Sequence, residues 1–375
     1  MNILFVSGHP AQVHNFRNVR AELIEDGHQV FWLTTPKDIA TNLLDVYQIP
    51  YTTLHKPGKG LLSKAWTLIR NVIWEIGYLK RNKIDIAITR TCPYTTFAAK
   101  ICGVKHIIID DTEHAAHQMK RFSDQADAIV VPACFWFELR KDEVRWPGNI
   151  ELFYTHPKRF SPSRLVVSEL GVSGERFALV RFVKWDAWHD TELVGGFSLE
   201  QKRELVSRLQ KHMRVFISSE SELPADLEPY RIHIPIEQMH DVQASASLFV
   251  GESATMASES VCLGTPAIYI DEVGRGYTDE EAREGLLWMY RPVVNREALK
   301  NGEPAWISGG VKECIDKAEE IASAAFDREA YAKRHKEWLA TKIDCTAFLT
   351  WFIENYPESV DATRKADADF WEKFR

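Results

Sequence analysis

The chain has 375 residues, 45% of them hydrophobic and 26% charged, the balance of a globular protein long enough for two domains. Its formal net charge of −7 argues against a general nucleic-acid binder, and no apolar run reaches the ~18 residues of a membrane-spanning helix. Six cysteines with no C-x-x-C pair argue against a zinc knuckle or a disulfide framework, and for a reduced, cytoplasmic chain without a secretory leader.

Residues 2–7, NILFVS, read as a strand, the next segment to about Glu25 as a helix ended by Gly27, and 29–34 as a second strand, together a βαβ unit. The turn after the first strand lacks G-x-G-x-x-G and carries Gly8 and His9 where open α/β sheets place their ligands. His14 follows in the first helical turn, as a binding residue or as packing. Residues 55–83 hold seven cations against Glu75, a local charge of +6 (seven minus one), interleaved with Trp66 and many aliphatic residues. That pattern fits an amphipathic helix resting on an anionic membrane or an ordinary sheet-covering helix. Residues 85–89, 105–110 and 128–131 read as further strands. Past the second of them, Asp110, Asp111, Glu113, His114 and His117 crowd a carboxyl end, which suits general acid–base chemistry. A helix cap is one alternative there, and a metal site is another that no ligand spacing supports.

From 135 to about 175 the βα rhythm lapses amid Pro147, Pro157 and Pro162, so a domain boundary is expected near 165. The rhythm restarts with strand 177–182, helix 198–210 and strand 214–218. The loop VKWDAWHD after residue 182, with Arg181 at its base, brings Lys184 and His189 to a carboxyl edge, where cations meet a diphosphate. Residues 250–270, VGESATMASESVCLGTPAIYI, read as strand, turn, helix, turn, strand. Gly251, Glu252, Ser253, Ala254 and Thr255 form the turn and helix start, a seat for phosphate, and Glu259 is placed to accept ribose hydroxyls. Helices close the chain, those of 341–375 expected to pack back on the first domain.

The segments SGHPAQVHNFRNV, IDDTEHA and GESATMASESVCLGTPAI together resemble an uncharacterised GT-B-like family of unknown function. That family is similar to UDP-N-acetylglucosamine 2-epimerase and to GT-B glycosyltransferases. The resemblance implies an α/β, GT-B-like fold: two Rossmann-like domains, 1–165 for acceptor and catalysis and 166–340 for the nucleotide-sugar, facing an interdomain cleft. Aligned on Leu263, Gly264 and Pro266, it sets Glu259 on the ribose-binding acid and Ser253 on the phosphate-binding serine. Ala254 and Thr255 replace the epimerase glycines and Ser258 the first of its paired acids. Glu113 stands on a catalytic acid, Asp111 where the epimerase has His, and His189 loosely matches a second-domain His.

These readings favour a metal-independent, cofactor-free glycosyltransferase for surface polysaccharide or glycolipid synthesis. Its donor is a nucleotide-sugar, UDP-linked by expectation, and its acceptor a sugar or lipid-linked hydroxyl. His9, Asp111, Glu113 and His114 are the catalytic candidates. Gly8, His14, Arg181, Lys184, His189, Gly251, Glu252, Ser253, Ala254, Thr255 and Glu259 are the binding candidates. A nucleotide-sugar 2-epimerase is the alternative, and a non-catalytic nucleotide-sugar binder a third. The expected location is cytoplasmic, with contact to the inner face of the membrane through residues 55–83.

Overall fold

The computed structural model describes residues 1–36, 38–56, 60–113, 116–183, 196–219, 221–292 and 309–375. Two units emerge, Met1–Tyr154 with Lys342–Arg375, and Thr155–Thr341.

The first unit alternates β1 (Asn2–Ser7), α1 (Pro10–Glu25), β2 (Gln29–Thr34), α2 (Asp38–Val46), β3 (Thr52–Thr53) and α3 (Leu61–Arg81). It continues through β4 (Ile86–Thr89), α4 (Pro93–Cys102), β5 (Lys105–Ile109), α5 (Ala116–Ser123), β6 (Ala128–Pro132), β7 (Val144–Trp146) and α6 (Leu152–Thr155). The strand order is β3-β2-β1-β4-β5-β6-β7 and every pairing is parallel. Strands covered on both faces have no reason to alternate polarity, which is why NILFVS reads as one apolar run. Leu4 and Val6 face a core with Leu33, Leu79, Ala87 and Ala98. On the other face Phe5 lies 5.1 Å from the Phe16 ring and 5.6 Å from Trp32.

The second unit holds α7 (Arg164–Glu169), β8 (Phe177–Phe182), α8 (Leu199–Gln210), β9 (Arg214–Ser219), α9 (Met239–Ser245), β10 (Leu248–Gly251), α10 (Ala254–Cys262) and β11 (Ala267–Ile270). After these come α11 (Gly276–Arg283), β12 (Leu287–Tyr290), α12 (Val311–Ala322) and α13 (Arg328–Leu339). Its sheet runs β12-β11-β10-β8-β9, again parallel throughout. Beside β9, Arg231 makes one isolated parallel bridge to Ile217.

Three helices end the chain: α14 (Cys345–Glu354), α15 (Glu358–Arg364) and α16 (Ala368–Glu372). They are fastened to the first unit, since Ile343 N–H donates to Pro147 C=O (3.2 Å) and Thr346 Oγ1 to Phe153 C=O (2.7 Å). Phe348 stacks on Trp146 and meets Trp371 and Phe374.

In both sheets the order reverses once, between β1 and β4 and between β8 and β10. Connections leave such a point in opposite directions and open a crevice at the carboxyl ends of the strands.

Candidate functional site

At the first reversal, β1 ends in Ser7 and the chain turns through Gly8 and His9 into α1. Gly8 N–H donates to Gln12 Oε1 (2.5 Å), which ties the turn to the helix it starts. His9 is the N-cap, its Nδ1 accepting from Ala11 N–H at 3.3 Å. With Nδ1 used as an acceptor, the neutral ring carries its proton on Nε2. His14 does not reach the edge. It is buried on α1 against Tyr47 (5.8 Å between rings) and Tyr154 (5.3 Å), and its Nδ1 lies 3.4 Å from the Tyr47 hydroxyl. Residue 14 falls on the helix face that packs.

Beside β1, the carboxyl ends of β4 and β5 form an ion-paired cluster that rests on Arg90, a residue the sequence reading did not single out. Arg90 donates to Asp110 Oδ1 through Nε (2.9 Å), to Thr112 Oγ1 (2.7 Å), and to Asp111 Oδ1. Asp110 also accepts from Thr91 N–H (2.9 Å), Asp111 N–H (2.9 Å) and Thr112 Oγ1 (2.7 Å). Burial would raise the Asp110 carboxyl, but the guanidinium and the Thr112 and Thr91 bonds overcome it and hold the group at about 2. Burial likewise opposes the charge on Arg90, and Asp110 and Asp111 more than restore it. Asp111 is therefore held as a charged partner of Arg90, which works against its use as a base. Glu113 is the remaining described carboxylate of this edge, and it is buried. His114 lies outside the described residues.

At the second reversal, β10 ends in Gly251 because nothing larger fits. A Cβ there would sit 2.7 Å from Arg181 Cβ and 2.9 Å from Arg181 O on the paired strand. The glycine is required by strand packing. Glu252 is a clamp: Oε2 accepts from Val183 N–H and Oε1 from Phe197 N–H, both at 2.8 Å. Both oxygens accept backbone N–H groups, so Glu252 positions the two ends of the segment between Val183 and Phe197. Lys184 and His189 fall between those two anchors and outside the described residues.

Ser253 caps α10, its Oγ accepting from Met256 N–H (3.3 Å). Ala254 and Thr255 form the first helical positions, whose N–H groups have no carbonyl a turn earlier to donate to. Arg181, at the end of the adjacent strand, donates through Nη1 to Ser218 Oγ (2.8 Å) on β9. Glu259 is turned sideways: its oxygens accept from His240 Nε2 (3.1 Å) and Gln243 Nε2 (3.2 Å) of α9, and it is 5% exposed. Ribose hydroxyls would have to use lone pairs those bonds leave over. Ser258, on the other flank of α10, donates to Glu281 Oε1 (2.5 Å). The helix is thus wedged between α9 and α11 with its N-terminus at the sheet edge, presenting the N–H groups of its first turn and the positive end of its dipole. Arg90, the Glu252 clamp and the Glu259 network left no sequence pattern; each arises from residues 16 or more positions apart meeting through topology.

No protein-family model matches this chain, and no curated protein sequence matches it. Solved structures do. The Staphylococcus aureus MnaA–UDP co-structure aligns with TM-score 0.65 at 11% identity, over 96% of this chain and 97% of that one. UDP-GlcNAc 2-epimerase from Neisseria meningitidis bound to UDP-GlcNAc gives 0.63 at 11%, covering 94% and 100%. MurG from Acinetobacter baumannii gives 0.57 at 14%, covering 94% and 99%. With its two parallel Rossmann-like sheets, the chain has the GT-B architecture that UDP-GlcNAc 2-epimerases and GT-B glycosyltransferases share.

Proposed function

We propose that this chain is a metal-independent glycosyltransferase that takes a nucleotide-sugar donor and a sugar or lipid-linked acceptor, in surface polysaccharide or glycolipid synthesis. A UDP-sugar is the expected donor class, because two of the matched structures hold UDP or UDP-GlcNAc. The observation that carries the reading is the N-terminus of α10 fixed at the β8/β10 reversal beside Arg181. In this reading the helix terminus and Arg181 receive the diphosphate charge in place of a metal ion, with Lys184 and His189 as further donors. The acceptor oxygen forms a bond to the anomeric carbon, the bond from that carbon to the diphosphate breaks, and the acceptor proton passes to a base. Glu113 is assigned as the base, since protonating Asp110 or Asp111 would forfeit charge-assisted bonds to Arg90. The His9 Nε2–H orients the acceptor.

A positioned base contributes typically ~10²–10⁴-fold in rate, so Glu113→Gln should nearly silence turnover while donor affinity survives. Asp111→Asn with intact folding and full activity fits this assignment; full activity of Glu113→Gln sinks it. A nucleotide-sugar 2-epimerase is the second reading, favoured by how many of the matched structures carry that activity in their names. The two separate when candidate UDP-sugars are incubated in D₂O with EDTA. Nucleotide release that requires an acceptor supports the transferase, and deuterium appearing at C2 without acceptor supports the epimerase.

A further inference from the structure

Helix α3 buries polar residues beside the apolar ones it packs on the core, and presents large apolar side chains to solvent. A sheet-covering helix normally buries aliphatic residues and presents polar ones. Here Thr67, Asn71 and Glu75, spaced four apart, are buried, while Trp66 is 66%, Ile69 49% and Ile73 65% exposed. The inward polar side chains have work within the first unit. Asn71 Oδ1 accepts from His55 N–H (3.0 Å), and Nδ2 donates to His55 C=O (3.1 Å), so one amide fixes the strand-to-helix connection on both sides. Thr67 Oγ1 donates to Ser63 C=O at 2.8 Å. With Asn71 gripping the His55 backbone and Leu79 in the core, the rotation of the helix is set and Trp66, Ile69 and Ile73 are left facing out. At 100° per residue, Ile69, Arg70, Ile73, Gly77, Lys80 and Arg81 all project within about 60° of Trp66.

The charge of this face is the second observation. Lys56, Lys64, Arg70, Lys80, Arg81 and Lys83 are all exposed. Among the described residues none of them pairs with a carboxylate. The one acidic residue of the helix, Glu75, is 0% exposed. A chain of formal charge −7 thus concentrates unbalanced cations around three exposed apolar side chains.

We propose that α3 is a docking surface for an anionic lipid bilayer, lying in the interface plane with Trp66, Ile69 and Ile73 at the acyl boundary and Arg70, Lys80 and Arg81 among the headgroup phosphates. Trp at the boundary and long cationic side chains reaching outward suit that position. Among the described residues no helix is long and apolar enough to cross a membrane, so the contact is superficial. A second copy of the chain is the competing occupant. A two-fold contact through this face would set Arg70, Lys80 and Arg81 near their own copies, with no exposed carboxylate on the helix to receive them. The docking does not depend on which reaction the chain catalyses.

The test is sedimentation of the full chain with vesicles of phosphatidylcholine alone and with about 30% phosphatidylserine added, at low salt and at about 0.5 M salt. Binding to the anionic vesicles at least ~10-fold tighter than to the neutral ones, released by salt, is the expected result. Arg70→Ala and Lys80→Ala should each weaken it roughly fivefold, and Arg70→Lys should keep it. The pair Trp66→Ala and Ile73→Ser should lower it further at unchanged melting temperature, since both positions are exposed. Equal partitioning onto the two vesicles, or none onto either, overturns the proposal. So does a dimer in solution that the Trp66/Ile73 pair splits while vesicle binding is unaffected.

Discussion

Asp110 is a carboxylate that burial alone would neutralise, yet Arg90, Thr112 and Thr91 hold it charged at about 2. A folded value below the unfolded 3.8 means the group stabilises the fold fully above pH ~4 and loses that contribution as pH falls toward 2. The gap is worth on the order of 2 kcal/mol. Asp110→Asn should therefore be destabilised by about 2–4 kcal/mol at pH 7, because a buried guanidinium loses one of two carboxylates. Its urea-midpoint curve should also be flatter than wild type between pH 5 and pH 3. An Asn variant with the wild-type acid limb would mean that the Arg90–Asp110 pair does not set the acid stability. The acidic half of the cluster was legible, since adjacent aspartates after an apolar run mark a strand end. Arg90 was not: a single basic residue after a strand forms no pattern until β4 lies beside β5 with Thr89 opposite Ile108.

Helices differ in how far their orientation can be read from sequence. α10 was legible because Ser253 caps it and Leu263–Gly264 ends it, with Gly264 at φ 87, a conformation glycine adopts without strain. For α3 the sequence offered apolar residues on most of the circumference, and the inward side was chosen by Asn71 gripping the His55 backbone. Glu75 bears the consequence. Burial pushes its carboxyl up to about 7, with Thr95 opposing. Because the folded value lies above the unfolded one, its contribution is fully present below pH ~4.5 and is lost as pH rises through 7. Glu75→Gln should thus be more stable than wild type at pH 8, by about 2–3 kcal/mol at most, and little changed at pH 4.5. Thermal melts at those two pH values check it; a variant weaker at pH 8 would mean that the charged form is held by a partner.

Over the whole molecule, the two parallel sheets were legible because strands buried on both faces appear as unbroken apolar runs. The exceptions are the short edges. β3 has two residues, and β7 three, with Arg145 between Val144 and Trp146, too little for any periodicity. β7 matters all the same, since the closing helices build on its Trp146. Lys342–Arg375 buries Phe348, Leu349, Phe352 and Ile353 in the first unit. At about 1.5–3 kcal/mol for each large apolar side chain, that is comparable to the entire stability of a domain. A chain ending at Thr341 should lose the cooperative unfolding of the first unit, seen in calorimetry as a missing transition. A truncated chain that melts like the full one would show those helices to be dispensable.

The Glu252 clamp carries a consequence for how this chain can vary. One carboxylate holds the backbone amides of Val183 and Phe197, so the two ends of the intervening segment are joined by the fold itself rather than by the residues between them. The end of β8 and the residue before the Ser198 cap of α8 are thereby tied to the turn that starts α10, so a change at Glu252 is felt at three elements at once.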